Sequence, residues 1–317
     1  MIFPASVQLM HIPDGFLSLP ISVVSWAITL VLLYFAVRNA QQVLDERLVP
    51  LAGIMAAFIF AGQMLNFPVA GGTSGHFIGA TLAAIVLGPW VGLLAMTAVI
   101  SLQALLFQDG GLVVMGANIL IMGIVPTFVG YGLYQLLRGR AKGLELAGTA
   151  VSAWISIEIA ALITALLISF SGTSTIGVAV PAMLGIHALI GIGEALITVA
   201  ALSFIRRTRP QILSKESAVG SGRWVVAGLV IALAVTLFAP LASASPDGLE
   251  WVAGQHGFLQ TAKDAPYQIL QGYTIPFLGN SNLSTIIAGA VGVLLVMGIT
   301  YLLGRLLQRR ETVNSNQ

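Results

Sequence analysis

The 317-residue sequence contains no cysteine, and charged residues make up only 8% of it. Without cysteine the chain forms no disulfide bond and offers no thiolate ligand, so a transition metal ion would have to be held by nitrogen. The scarcity of charge excludes an ordinary soluble domain, in which about 25% of residues are charged. The chain has only four histidines, and each is therefore a candidate metal ligand.

Familiar catalytic motifs are absent as well. The chain has no phosphate-binding loop of the form Gly-x-x-x-x-Gly-Lys-Ser/Thr, so it carries no recognisable site for ATP hydrolysis. It has no His-Glu-x-x-His motif, which leaves a zinc protease unsupported, and it has no thiol nucleophile for acyl transfer. We therefore predict a protein that is not an enzyme and that needs no resident cofactor.

Long apolar stretches dominate what is present, since 57% of the residues are hydrophobic. A helix that crosses the hydrocarbon core of a membrane needs about 20 mainly apolar residues. Nine stretches qualify, and they predict an all-α polytopic membrane protein. They are residues 18–37, 49–66, 76–88, 90–107, 113–137, 149–170, 181–205, 223–241 and 284–306. The third is short and ends at Gly88-Pro89, so we expect a bent or partial span there.

The positions of lysine and arginine predict how the chain lies in the membrane. If the first helix runs inward, 13 of the 14 basic residues fall on the cytoplasmic side, and only Lys263 lies opposite. This orientation places His11 and His76 outside the cytoplasm and the C-terminus inside. Because the basic residues form short clusters between apolar runs, they indicate membrane orientation and not nucleic-acid binding.

A polar stretch divides the chain. Residues 206–222 are predicted to form a cytoplasmic linker between a seven-helix unit, residues 10–205, and a module of two helices, residues 223–317. The long outer loop of the second module, 242–283, contains acids, aromatics and prolines. We expect it to form a folded or docking segment instead of a free tether.

The first candidate ligand group is the segment Met10-His11-Ile12-Pro13-Asp14-Gly15. If Met10 were the first residue of the mature chain, its amine, the His11 amide and the His11 ring would form two fused chelate rings. We expect the preceding residues 1–9 to reflect a misassigned start or to be removed. The alternative is that this extension is genuine and Met10 is an internal methionine. Asp14 could cap the first helix or accept a proton from the His11 ring.

The second candidate ligand is His76, which follows Gly71-Gly72-Thr73-Ser74-Gly75. Glycines let the backbone approach another group closely, and His76 could complete a plane of four nitrogens. Thr73 and Ser74 could then support the ligands. We expect a helix to begin at His76. The alternative to a ligand role is that His76 is only a polar residue of the first turn, with Thr73 or Ser74 as the N-cap.

Ionisable residues within the predicted spans are expected to face the interior of the bundle, because lipid disfavours them. Glu158, His187 and Glu194 could form a proton relay or a metal path, although we favour a structural hydrogen bond between helices for each. His187 and Glu194 are seven residues apart and so lie on one helix face. Asn118 is expected to support packing or the metal ligands.

Taken together, these motifs resemble the substrate-binding membrane subunit of energy-coupling-factor cobalt and nickel transporters, the CbiM/NikM family. The resemblance covers most of residues 10–205. It is carried by Met10 through Gly15, Gly71 through His76, Phe107-Gln108-Asp109-Gly110-Gly111, Gly116-Ala117-Asn118 and Gly185 through Ala195. The last two helices, with Pro246-Asp247-Gly248-Leu249-Glu250 between them, resemble the small accessory subunit of the same systems, fused here to the first.

The resemblance implies a metal ion held by the amine of Met10, the amide and ring of His11, and the ring of His76. It also implies a separate membrane coupling subunit and cytoplasmic ATPases as partners, in the cell membrane. We predict capture of Ni(II) or Co(II), with nickel favoured by the planar nitrogen set. The alternatives are a stand-alone ion-coupled carrier that uses Glu158, His187 and Glu194, and a sensor that binds metal without transport.

Overall fold

The structure is a computed structural model that describes residues 11–213 and 223–314. Met10, residues 1–9 and most of the predicted linker lie outside the described residues. Eleven helices and a two-stranded sheet make up the described fold. The helices are α1 (Leu19–Gln41), α2 (Leu48–Gln63), α3 (Ala80–Leu87), α4 (Pro89–Leu102), α5 (Met115–Asn118), α6 (Val125–Leu137), α7 (Lys142–Phe170), α8 (Ile176–Thr208), α9 (Arg223–Thr236), α10 (Gly248–Gln255) and α11 (Asn282–Asn314); the strands are β1 (Phe67–Val69) and β2 (Thr73–Gly75).

The prediction of an all-α polytopic membrane protein is confirmed. Seven helical stretches of the described residues are long and apolar enough to cross a membrane. They are Leu19–Gln41, Pro89–Phe107, Met115–Leu137, Gly143–Phe170, Ile176–Thr208, Arg223–Leu241 and Asn282–Gln308. Two of these stretches contain π-helical segments, Gln103–Phe107 and Ile119–Ile124, and each segment lies beside the loops that form the site described below.

The other two predicted spans are short helices. Helix α2 has 16 residues and is buried along most of its length, as expected of a helix that is apolar on all sides. Helix α3 has only eight residues, so at about 1.5 Å per residue it is too short to cross the membrane alone. The predicted break at Gly88-Pro89 is where α3 ends and α4 begins.

The prediction that a helix begins at His76 is wrong. Residues 73–75 form strand β2, which pairs with β1 across a turn in which Gly71 and Gly72 have φ of 83° and 77°. Residues 76–79 are non-helical, and α3 begins only at Ala80. His76 is therefore held in irregular backbone, a position that local sequence patterns do not reveal.

Both membrane helices of the C-terminal module pack on α2, and glycines permit the close approach. Gly292 of α11 lies against Phe60, and Gly228 of α9 lies against Ile54. In the other direction, Gly53 of α2 faces the backbone carbonyl of Met297. Gly53 of α2 and the two facing glycines thus serve packing within one chain.

The long outer loop of the C-terminal module lies over the first module and is joined to it by backbone hydrogen bonds. The amide of Lys263 donates to the carbonyl of Asp14 at 2.7 Å, and the amide of Leu270 donates to the carbonyl of Leu106 at 3.0 Å. A third bond, 2.8 Å long, runs from the Ser74 amide to the Pro246 carbonyl. The loop is therefore docked on the segments that carry the two candidate histidines.

Candidate metal site

The two candidate histidines, which are 65 positions apart in the chain, meet in space. Their ring centroids lie 6.0 Å apart, and both rings line a cavity with room of about 60 Å³ for water-sized molecules. The Nε2 atoms of His11 and His76 are buried and have no hydrogen-bond partner within the described part of the chain. Buried polar atoms are almost always satisfied, so two orphaned imidazole nitrogens at one cavity point to a ligand.

The surroundings of His76 keep its imidazole ring neutral. Burial, reinforced by the nearby His11 ring, lowers its pKa to about 3. The imidazole is therefore unprotonated at neutral pH, with a lone pair available for a metal ion.

Asn118 fixes the backbone next to His11. Its side-chain oxygen accepts from the Ile12 amide at 3.0 Å, and its side-chain nitrogen donates to the Ile12 carbonyl at 3.0 Å. The Gly111 amide also donates to the Ile12 carbonyl, at 2.9 Å. The supporting role expected of Asn118 is thus exerted on the main chain.

Asp14 does neither of the things the sequence suggested. Its carboxylate accepts from three successive backbone amides, those of Leu112, Val113 and Val114, at 2.9–3.2 Å. The position before α1 is occupied by Ser18. Asp14 therefore ties the N-terminal loop to the loop after α4 and does not contact the His11 ring.

The group that contacts the His11 ring is Asp109, which sequence reasoning missed as a site residue. Its Oδ1 lies 2.8 Å from His11 Nδ1, and its Oδ2 accepts from the hydroxyl of Tyr273 at 2.9 Å. Burial opposes ionisation, but the His11 charge interaction and the two hydrogen bonds outweigh it, and the pKa of Asp109 is lowered. One feature of the sequence pointed to Asp109. It is an acid between an apolar run and Gly110-Gly111, within a motif that carried the resemblance.

The orientation of the His11 ring bears on the predicted chelate. A chelate through the His11 amide closes a six-membered ring at Nδ1, but here Nδ1 faces Asp109 and Nε2 is the unpartnered nitrogen. Fused chelation therefore requires the ring to turn over, so that Nε2 donates to Asp109 instead. The ring as it stands offers Nε2, in the carboxylate–histidine arrangement common at metal sites.

Thr73 and Ser74 link the modules and do not reach the cavity. The Thr73 hydroxyl donates to the Pro246 carbonyl at 3.0 Å, and the Ser74 hydroxyl donates to the Ser245 carbonyl at 2.8 Å. Since no helix begins at His76, neither residue is an N-cap. Asp247 and Leu249 from the docked loop line the cavity, and burial raises the pKa of Asp247 well above its usual value.

The three ionisable residues of the membrane helices have separate surroundings. His187 lines the same cavity, and its Nδ1 donates to the Met183 carbonyl at 2.8 Å. The carboxyl oxygens of Glu194 accept from the amides of Ile78 at 2.7 Å and Gly79 at 2.9 Å. Glu194 thus holds the segment that follows His76, while Glu158 does not line the cavity.

Side chains alone do not complete a metal site here. Within residues 11–213 and 223–314, no group of three or more histidine, aspartate and glutamate side chains is placed to hold a metal ion. Of the three imidazoles that line the cavity, those of His11 and His76 have an unpartnered nitrogen within the described residues. The further donors expected from the sequence are the Met10 amine, which lies outside the described residues, and the His11 amide.

Comparisons with known proteins match both modules of the chain. The family model of the cobalt uptake substrate-specific transmembrane region matches residues 11–212, and that of the PDGLE domain matches residues 222–309. A putative fused nickel transport protein NikMN from Archaeoglobus fulgidus is 36% identical over 93% of this chain and 98% of its own length. A cobalt transport protein CbiM from Sorangium cellulosum is 34% identical over 66% of this chain and 97% of its own length.

A crystal structure of a truncated transition metal transporter shares the fold. It is 35% identical, has a TM-score of 0.57, and matches 62% of this chain and 99% of its own. Fold and relatives together define the class of the protein, a polytopic membrane component of transition metal transport. The chain belongs to the family of the cobalt uptake substrate-specific transmembrane region, and in this chain a PDGLE domain follows that region.

Proposed function

We propose that the chain captures Ni(II) at the extracytoplasmic side of the membrane and passes it to the cytoplasm, with a coupling subunit and ATPases as partners. Co(II) is the second candidate ion. The pair of buried, unpartnered imidazole nitrogens at one cavity carries the proposal. Nickel is placed first because the relative that matches nearly the whole chain is named for nickel transport.

The ligands in this proposal are the rings of His11 and His76, the His11 amide and the amine of Met10. N-terminal sequencing of the purified chain, combined with elemental analysis of the bound metal, tests the amine and the ion together. A chain that retains residues 1–9 and still holds nickel through both rings would remove the amine from the ligand set.

Dependence on partners separates this proposal from an ion-coupled carrier. Vesicles that contain the chain with the coupling subunit and ATPases should take up nickel only when ATP is supplied. Robust uptake by the chain alone, driven by an ion gradient, would favour the carrier. Metal binding without uptake in the complete complex would favour a sensor.

Nickel binding is expected to weaken as the pH falls from about 7.5 to about 5.5. Two protons must leave on binding, because the N-terminal amine has an ordinary pKa of about 7.7 and the His11 amide coordinates only after losing its proton, so affinity should fall about a hundredfold per pH unit below that value. His76 adds nothing across this range, because its pKa of about 3 leaves it neutral throughout. Equilibrium dialysis against nickel at a series of pH values measures the slope, and a flat profile would contradict amine ligation.

Asn118→Ala is expected to weaken nickel binding and to lower the free energy of unfolding by about 1–3 kcal/mol. The change removes both hydrogen bonds to the Ile12 backbone, so the residue next to His11 is released. Asn39→Ala is a matched control, because the Asn39 amide bonds only the exposed carbonyl of Phe35 within its own helix. Denaturation in detergent and nickel titration measure the two effects, and equal behaviour of the two variants would contradict the role given to Asn118.

A further inference from the structure

Backbone strain in the described residues is concentrated beside the candidate metal site. The non-glycine residues with positive φ are Gln108 at 53° and Tyr273 at 57°. This conformation is strained for a residue with a Cβ atom, so the surrounding structure has to hold it in place. Gln108 immediately precedes Asp109, and Tyr273 contacts Asp109 from the other module. The two strained residues are 165 positions apart in the chain. One of them precedes the acceptor of this hydrogen bond, and the other is its donor.

That hydrogen bond is part of a buried chain of contacts that ends at the His11 ring. The Tyr273 hydroxyl donates to Asp109 Oδ2 at 2.9 Å, and Asp109 Oδ1 lies 2.8 Å from His11 Nδ1. Tyr273 is 7% exposed and Asp109 is 1% exposed. The Tyr273 ring stacks on Phe107, with centroids 4.6 Å apart and planes 21° apart, so the hydroxyl has little freedom to leave.

We propose that Tyr273 is a positioning residue of the metal site: it fixes the Asp109 carboxylate, which holds the His11 ring through the ring nitrogen that does not bind the metal. The inference rests on the proposed function. Carboxylates that hydrogen-bond a ligand histidine fix its tautomer and raise its basicity, and their loss typically reduces metal affinity about 10–100-fold. The C-terminal module would then complete the site without contributing a ligand.

Within the described residues, the other hydrogen bonds between the modules do not involve His11 or His76. Removing one of them therefore tests the docking of the loop without changing the position of the candidate ligands. The Tyr267 hydroxyl, in the same outer loop, donates to the backbone carbonyl of Leu105 at 2.8 Å. Further bonds between the modules join backbone groups, as between Lys263 and Asp14, or a side chain and the backbone, as between the Trp251 indole nitrogen and the Gly71 carbonyl. Tyr267→Phe therefore removes a docking bond of the same chemistry as Tyr273→Phe but leaves Asp109 untouched.

The test uses the purified full chain with Ni(II) alone as the probe, measured by affinity and by the visible absorption of the bound ion. Tyr273→Phe is expected to weaken binding about tenfold and to shift the absorption, because a reoriented imidazole changes the ligand field. Tyr267→Phe is expected to change neither. Because Tyr273→Phe removes one hydroxyl and keeps the ring that stacks on Phe107, the fold should be preserved.

A double-mutant cycle decides whether Tyr273 acts through Asp109. In Asp109→Asn the side chain has one acceptor oxygen and cannot accept from both His11 and Tyr273. Tyr273→Phe should then add less than about twofold in that background. Native affinity and spectrum in Tyr273→Phe, an equal loss in Tyr267→Phe, or additive losses in the double variant would each overturn the inference. A native chain that binds no nickel would instead overturn the proposed function.

Discussion

Alanine in place of His76 is expected to weaken nickel binding by at least about a hundredfold. Structural metal sites with four ligands bind with about 10–16 kcal/mol, so one ligand corresponds to roughly 3–4 kcal/mol. The fold should survive the change, because His76 Nε2 makes no hydrogen bond within the described residues. Equilibrium dialysis with elemental analysis measures the affinity, and thermal unfolding in detergent measures the fold.

His256→Ala is the matched control for this experiment. His256 is exposed, follows helix α10 in the outer loop and does not line the cavity. Its replacement should leave nickel affinity unchanged, whereas His11→Ala should behave as His76→Ala does. Binding within about threefold of native after the loss of His76, or an equal loss in the His256 variant, would contradict the proposed ligand set.

The histidine pair could be predicted from the sequence because the alternatives were few. With no cysteine and four histidines, the candidate donors for a transition metal were few, and the structure brings two of these histidines together. Hydropathy likewise predicted the long spans, since apolar runs of sufficient length have few other uses. The polar stretch after residue 205 likewise predicted where the second module begins, and that boundary stays a prediction because residues 214–222 lie outside the described residues.

The partners of the histidines could not be predicted, because they depend on contacts distant in the sequence. Asp109 is 98 residues from His11, and Tyr273 is 164 residues from Asp109. No local period or cap links these positions. The left-handed backbone conformations of Gln108 and Tyr273 could not be predicted either, since neither is a residue type that favours positive φ.

The partners of the buried carboxylates could not be predicted for a related reason. Irregular backbone inside a membrane protein leaves amides that must be satisfied, and a buried carboxylate is a strong acceptor for them. Asp14 satisfies Leu112 through Val114 in this way, and Glu194 satisfies Ile78 and Gly79. An acid in an apolar span therefore resembles an ion-binding or proton-transfer residue in the sequence, whereas in the structure it holds a loop in place.

Glu194→Ala is expected to lower the free energy of unfolding by about 2–6 kcal/mol and to reduce nickel affinity sharply. The change leaves the amides of Ile78 and Gly79 without their acceptor, and each unsatisfied buried donor costs about 1–3 kcal/mol. The same two amides fix the segment that follows His76, so the ring loses its position opposite His11. Glu194→Gln keeps one acceptor oxygen and should produce roughly half the loss of stability. Denaturation and nickel titration of both variants measure the effects.

Glu158→Gln serves as the control, and it also separates loop support from ion coupling. Glu158 lies on α7, away from the cavity, and its Oε1 has no hydrogen-bond partner in the part of the chain that the structure describes. If Glu194 supports the His76 segment, binding at equilibrium falls in the Glu194 variants and is retained in Glu158→Gln. If the two carboxylates coupled ion movement to transport, all variants would bind nickel normally and lose only uptake. Loss of equilibrium binding would therefore show that Glu194 supports the structure of the site. A residue that only relays ions during transport is not required for binding at equilibrium.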